Sequence, residues 1–291
     1  MDETLIDQVV ELIKRASTDL PPDVVEALRQ ARDKESGGSM QANTFETILK
    51  NIDMARDAGT PICQDTGMCI FYVYHPVGTD TIALRKYLEA AAEKATKEIL
   101  LRPNAVDPIT GKNSGTNVGT NAPYVVFKPW EKDEIEIKLM LKGGGSENVG
   151  KQYTLPDSRI GAGRDLKGVR KCVLDAVYSA QGKGCGPGTV GVGIGGDRGS
   201  AFFLSKEQFF RKLGSTNSNT ELAALEDGLH EDLNTLGIGP MGFGGKTTVL
   251  DVFIGTQHRH PATFYVSVSY ICWAFRRKTM TLKNGEVTYN D

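Results

Sequence analysis

In the stretch Thr60-Pro61-Ile62-Cys63-Gln64-Asp65-Thr66-Gly67, a soft metal ligand, an amide and a carboxylate stand side by side. Such a trio can hold a metal, hydrogen-bond an oxygen-rich ligand and move a proton. Pro61 and Gly67 punctuate a tight connection. A turn between two rigid elements can aim neighbouring side chains into one cleft, although a capped turn with a buried thiol fits these residues equally well. A second candidate is Lys142-Gly143-Gly144-Gly145-Ser146-Glu147-Asn148, whose glycines would let backbone N–H groups approach an anion. A flexible hairpin is the plain alternative there.

The five cysteines sort by neighbourhood. Cys63 and Cys185 lie in Pro/Gly turns, the latter in Gly184-Cys185-Gly186-Pro187-Gly188, where a thiolate is presented without crowding. Cys172 falls on the apolar stripe of a helix and Cys69 in a run of Met, Ile, Phe and Tyr, and both read as buried small hydrophobes. Cys272, in Tyr270-Ile271-Cys272-Trp273, reads on its own as a core thiol. An odd number, wide spacing and the lack of a Cys-x-x-Cys pair argue against a disulfide framework or a zinc ribbon.

Three strings tempt and fail. Gly186-x-Gly188-x-x-Gly191 matches a dinucleotide fingerprint, but a helix is expected before it and a strand after it, the reverse of what pyrophosphate binding needs. Gly245-Lys246-Thr247 lacks the earlier glycine of a phosphate loop, where Pro240 stands. His258-x-His260 on an extended segment would point its rings to opposite faces, so a single structural or catalytic histidine is the expected role.

The elements that must position these residues follow from periodicity. Leu5, Ile6, Val9, Val10, Leu12 and Ile13 recur at helical spacing, and Pro21-Pro22 ends that helix and opens another. A third helix is predicted over 41–58 and delivers the chain to Cys63. A strand is predicted over 68–74, a helix over 79–101 ending at Arg102-Pro103, and a polar loop over 113–121. Strands are predicted over 124–127, 135–141 and 189–194, helices over 165–180, 200–213 and 219–236, and closing apolar runs over 247–255 and 262–275. The order lacks a regular βαβ beat, so the fold class is α+β, with a helical N-terminus followed by mixed strands and helices in two lobes. No internal repeat or disordered linker is visible.

Composition removes whole classes of function. A net charge of −2 gives no basic face for nucleic acid. No apolar run reaches the ~18 residues of a membrane span, and the acidic Met1-Asp2-Glu3-Thr4 lacks the regions of a signal peptide, so the expected compartment is cytoplasmic. Glycine, at 33 of 291 residues, exceeds the usual ~7% and gathers between positions 111 and 245, where backbone must be shaped around something.

The Pro61–Gly67 turn, the Lys142–Asn148 loop, the turn around Cys185 and the closing segment from His260 to Cys272 together resemble the iron–sulfur hydro-lyases, the class I fumarases and L-tartrate dehydratases. The likeness runs in order along nearly the whole chain, residues 1–291, as one α-subunit domain equivalent to the N-terminal half of single-chain fumarases. It implies that Cys63, Cys185 and Cys272 hold a 4Fe–4S cluster with one iron left open as a Lewis acid. It implies a substrate pocket lined by Gln64, Asp65, Arg102, the 143–145 glycine loop with Gly143 and Gly144, and His260, with Asp65 and His260 as acid–base candidates. It implies a β subunit supplying further carboxylate-binding residues, and an (αβ)2 assembly. The expected reaction is reversible hydration of fumarate to (S)-malate. L(+)-tartrate dehydration is the alternative within the same chemistry, and a non-enzymatic iron–sulfur sensor is the rival outside it.

Overall fold

The computed structural model describes residues 3–291. In chain order the elements are α1 (Glu3–Thr18), α2 (Pro22–Lys34), α3 (Met40–Ala58), β1 (Met68–Pro76), α4 (Thr81–Lys97), β2 (Tyr124–Trp130), β3 (Ile135–Lys142) and α5 (Gly144–Asn148). There follow β4 (Lys151–Thr154), α6 (Leu166–Ala180), β5 (Gly188–Gly195), α7 (Arg198–Glu207), α8 (Thr220–Thr235), β6 (Val249–Gln257), β7 (Tyr265–Ile271), β8 (Arg276–Lys283) and β9 (Glu286–Asn290). The class is α+β, as expected. The chain divides into two compact units, the first comprising the residues up to Pro22, Lys50–Gly144 and Ala274–Asp291, the second Asp23–Leu49 and Gly145–Trp273.

The first unit is built on a five-stranded sheet of order β2-β1-β3-β8-β9. β1 and β2 run parallel, and the other pairs are antiparallel. Cys69, Phe71 and Val73 of β1 face the same way as Leu141, Leu139 and Ile137 of β3, and this face takes the apolar stripes of α1 and α4. Val9, Leu12, Ile13, Leu88 and Ala91 are fully buried there. Each large apolar side chain so covered contributes about 1.5–3 kcal/mol.

The helix predicted over 79–101 starts at an Asp80 cap, whose carboxylate accepts from the backbone of Ile82 and Ala83, and stops at Lys97. Ile99 takes a left-handed φ of 63° and closes it early, with Leu100 N donating to Ala95 O and Ile99 N to Thr96 O. The β8–β9 hairpin was not anticipated. Its turn is Asn284-Gly285, both with positive φ (51° and 81°), the pair a two-residue hairpin turn favours.

The second unit holds a four-stranded sheet of order β4-β7-β5-β6, with β5 and β6 parallel. Val190, Val192 and Ile194 of β5 point into a core shared with α6 and α8. The alternate residues Gly191 and Gly193 face α7, and a Cβ on either would stand 2.2 or 2.1 Å from the carbonyls of Ser205 and Ala201. The glycine run therefore serves close helix–sheet packing. The helix-before, strand-after context expected for Gly186-x-Gly188-x-x-Gly191 is present. Among the described residues no helix is long and apolar enough to cross a membrane.

Candidate active site

The approach to Cys63 is fixed from α3 onward. Gly59 (φ 63°) ends that helix in a Schellman motif, with Thr60 N donating to Ala55 O and Gly59 N to Arg56 O. The next backbone is clamped at Ile62, which is buried. Its N–H donates to Ser17 O at 2.9 Å and its carbonyl accepts from Asn51 Nδ2 at 2.8 Å. Cys63 leaves this clamp half-buried, and Gln64 is exposed.

Asp65 is held at both carboxylate oxygens. Oδ1 accepts from Gly67 N at 3.1 Å, and Oδ2 from Gly144 N at 2.9 Å. Gly67 is in the left-handed region (φ 79°), where a Cβ would stand 2.8 Å from Lys142 backbone. At Gly143 a Cβ would lie 2.7 Å from Asp65 Oδ2. The two glycines thus let β1 and β3 converge closely enough for the Gly144 N–H to reach the carboxylate. That N–H, which the glycine loop would have offered to an anion, is engaged by Asp65.

Arg102 is exposed, and its Nη1 lies 3.4 Å from Gln64 O. Gln64, Asp65, Gly67, Met68, Arg102, Asn104 and Gly144 line an open pocket of about 470 Å³, within the size range of small-molecule sites. It combines one guanidinium, one carboxylate and side-chain amides, a set suited to a small polar anion. Of the residues expected at a substrate pocket, Gln64, Asp65, Arg102 and Gly144 line this one, while Gly143 packs against Asp65. Asn104 on the wall and Thr66 beneath it were not anticipated. Thr66 is buried, and its Oγ1 accepts from Arg102 N at 3.0 Å and Asn104 Nδ2 at 3.3 Å.

In the second unit, Cys185 and Cys272 come to one end of the four-stranded sheet. Thr189 pairs with Ile271, and Trp273 N donates to Cys185 O at 3.2 Å. Both thiols are half-buried, and both lie close enough to act electrostatically on the Tyr270 hydroxyl, whose pKa burial has already raised. The Gly184–Gly188 turn wraps that ring, since a Cβ at Gly184 or Gly188 would meet it at 2.6 or 2.2 Å. Cys185 itself has φ 55°, a left-handed strain of about 1–2 kcal/mol for a residue with a side chain. Tyr270 was missed; alternating glycines around a cysteine were the available signal.

His260 does not join that pair. It sits on the exposed turn between β6 and β7, at the opposite end of the sheet. β5 alone is eight residues long, roughly 23 Å at the rise of an extended strand. Arg259 ties the turn by donating to the carbonyls of His260, Pro261 and Thr263. His260 Nδ1 accepts from Ala262 N at 3.1 Å, which leaves its proton on Nε2.

A family model described as fumarate hydratase (fumerase) matches residues 6–281. This chain belongs to the fumarate hydratase family. A Geobacillus stearothermophilus chain assigned as a class I fumarate hydratase is 50% identical over 278 residues, covering 94% of this chain and 54% of its own length. This chain therefore spans about half of that relative. A Methanocaldococcus jannaschii chain assigned as an L(+)-tartrate dehydratase α subunit is 40% identical, covering 95% of this chain and 97% of its own. The L(+)-tartrate dehydratase α subunit of Escherichia coli K12 is 36% identical, with 99% and 93% covered.

The cysteines of this family member can be tested against a cluster one by one. Cys69 and Cys172 are buried, and desolvation pushes both thiols up to about 12, which disfavours the thiolate a metal needs. Cys63, Cys185 and Cys272 are all half-buried in turns or at a strand end. Among the described residues no three or more His, Cys, Asp and Glu converge as a single ion would require. A cluster is held differently, each thiolate on its own iron. Within the second unit the pairing of Cys185 with Cys272 at one sheet end fits such a group.

Proposed function

We propose that this chain is the α half of an iron–sulfur hydro-lyase acting on a four-carbon dicarboxylate, as a class I fumarate hydratase. The observation that carries the reading is the clamped turn in which half-buried Cys63 stands two residues from an Asp65 fixed at both oxygens beside Arg102. Cys63, Cys185 and Cys272 would hold a 4Fe–4S cluster. When bound, the cluster supplies a Lewis acid that polarises the carbon–oxygen bond being made or broken.

This chain's own residues bind, orient and move the proton. Arg102 offers a planar fork to one substrate carboxylate, and Gln64 an amide donor. Asp65 uses one acceptor position of each oxygen on Gly67 and Gly144, leaving others open to take a proton from the carbon beside a carboxylate. Its two backbone donors keep it aimed without a rotamer search. General acid–base help of this kind is worth ~10²–10⁴-fold, so positioning and metal chemistry must supply the rest.

A β subunit would complete the carboxylate-binding residues, in line with relatives named as α subunits and with a single-chain relative about twice as long. An (αβ)2 assembly in the cytoplasm is the matching expectation. L(+)-tartrate is the second substrate reading, supported by the names of two relatives that this chain covers almost end to end. The 50% identity to the fumarate hydratase favours fumarate. Anaerobic co-purification with the partner, followed by iron and sulfide analysis and kcat/KM for fumarate, (S)-malate and L-tartrate, tests both. Fumarate is expected to lead; a colourless, iron-free complex inactive on all three would overturn the proposal.

A further inference from the structure

From the polar loop joining α4 to β2, one side chain reaches the backbone that carries Arg102. Asn117 is buried and adopts a left-handed φ of 60°. Its Oδ1 accepts from Asn104 N at 2.7 Å. Its Nδ2 donates to Arg102 O at 2.8 Å and to Thr96 Oγ1 at 2.9 Å. A single amide thus brackets Pro103, satisfying the carbonyl before it and the N–H after it as a neighbouring strand would. From the other side, Thr66 Oγ1 accepts from Arg102 N at 3.0 Å and from Asn104 Nδ2, which also donates to Gly67 O at 3.1 Å.

Both backbone groups of Arg102 are therefore held by side chains, not by a helix or a ladder. The holders are anchored at opposite ends. Thr66 is adjacent to Asp65, and Asn117 is tied to the end of α4 through Thr96, whose Oγ1 donates to Ala92 O at 2.7 Å. A side-chain network of this kind, centred on the buried Thr66 and Asn117, fixes one geometry. A long exposed arginine gains little from such care at its Cα unless its head must meet something at a set distance from Asp65.

We infer that Thr66 and Asn117 are positioning residues that lock the Arg102 backbone against the Asp65 turn and so set the spacing between the guanidinium and the carboxylate across the pocket. The inference rests on the dicarboxylate reading above and names which residues set substrate fit. Arg102 would grip one carboxylate while Asp65 addresses the carbon beside it, so the lock defines how long a diacid is accepted. Loosening it weakens binding of substrate and of an unreactive diacid alike, which raises KM more than it lowers kcat.

The test uses the anaerobically reconstituted complex of this chain with its partner, in Thr66→Val, Thr66→Ser, Asn117→Asp, Arg102→Gln and Thr66→Val/Arg102→Gln forms. Readouts are kcat and KM for fumarate and L-tartrate, succinate affinity by calorimetry, iron content and melting temperature. Thr66→Val removes the acceptor at constant shape, and Asn117→Asp turns an acceptor toward Arg102 O. Each is expected to raise KM and the succinate Kd by about tenfold or more, the scale of a lost buried hydrogen bond, with kcat within about threefold and iron content unchanged. Thr66→Ser restores wild-type values. Because Thr66 acts through Arg102, the double variant binds no more weakly than Arg102→Gln alone.

Additive effects in that cycle, or a Thr66→Val complex with normal KM and succinate affinity, overturn the lock and leave the hydro-lyase reading standing. A complex that neither turns over these substrates nor binds succinate overturns the dicarboxylate reading, and the lock's ligand with it.

Discussion

Adding one methyl group at Gly143 would place a carbon 2.7 Å from Asp65 Oδ2 and 3.2 Å from its Cγ. Ordinary carbon–oxygen contact begins near about 3.3 Å, so the carboxylate must retreat by about 0.6 Å. The bond from Gly144 N, now 2.9 Å, would then stretch to about 3.5 Å, beyond useful hydrogen bonding. Hydrogen bonds to charged groups are worth about 1.5–3 kcal/mol, and a misplacement of ~1 Å at a reacting group costs about 10²-fold in rate. Gly143→Ala is therefore expected to lower kcat by about 10–100-fold with iron content intact. Gly144→Ala is the internal control, because its Cβ would lie 4.0 Å from the same oxygen and alanine suits the first turn of α5. Its kcat should stay within about threefold of wild type, any cost of a methyl on the pocket wall falling on KM. Initial rates of fumarate hydration, followed by absorbance on the reconstituted complex, decide the matter. Equal damage from the two alanines, or full activity in Gly143→Ala, would show that the position of Asp65 is not what the triple glycine protects.

Cys63→Ser, Cys185→Ser and Cys272→Ser should each deplete iron and acid-labile sulfide after anaerobic reconstitution, whereas Cys172→Ala, in the core of the second unit, should keep them at a packing cost of about 1 kcal/mol. Ile99→Gly should raise the melting temperature, since a β-branched residue at φ 63° carries about 1–2 kcal/mol of strain and the loss of chain stiffness returns less than about 1 kcal/mol. Asp175 is held below the usual carboxylate range, chiefly by the Arg159 fork at 3.1 Å, with Tyr153 and Lys151 adding to it. Its folded pKa is depressed, so its stabilisation is present above the ordinary value of 3.8 and is lost as pH falls below that toward the folded value. Urea midpoints measured from pH 5 down to about 2 should fall less steeply in Asp175→Asn than in wild type; identical slopes would remove Asp175 from the acid transition.

Periodicity made the helical opening and the strand 135–141 legible, because Val9, Leu12 and Ile13, or Ile137, Leu139 and Leu141, can be buried together only at those spacings. The strand 68–74, buried at five consecutive residues, showed instead in its β-branched and aromatic content. The clamped Cys63-Gln64-Asp65 turn was legible for a different reason: its residue types are chemically unusual neighbours, and Pro61 and Gly67 bound them. The β8–β9 hairpin was obscured by Arg276, Arg277 and Lys278, which read as surface residues although the first two are buried. Only the Asn284-Gly285 turn betrays it. The glycine excess between positions 111 and 245 suggested backbone shaped around something, and in the strand read over 189–194 Gly191 and Gly193 admit the carbonyls of α7. A missing side chain looks the same in sequence whether a ligand or another helix fills its place.

The residues around Arg102 mark where reading from pattern ends. Secondary structure satisfies backbone groups at fixed offsets, and those offsets leave a period in the sequence. At Arg102 and Asn104 the partners are Thr66, 36 residues before Arg102, and Asn117, 13 residues after Asn104. No period connects these positions, and Thr and Asn are ordinary loop residues with ready local uses of their own. Asn117 needs three simultaneous partners and a left-handed backbone to do what it does. His260, an acid–base candidate by type and neighbours, stands at the end of its sheet away from Cys185 and Cys272. Residue type tells what a side chain can do. Whether it does so at a given place depends on which distant backbone it must first hold still.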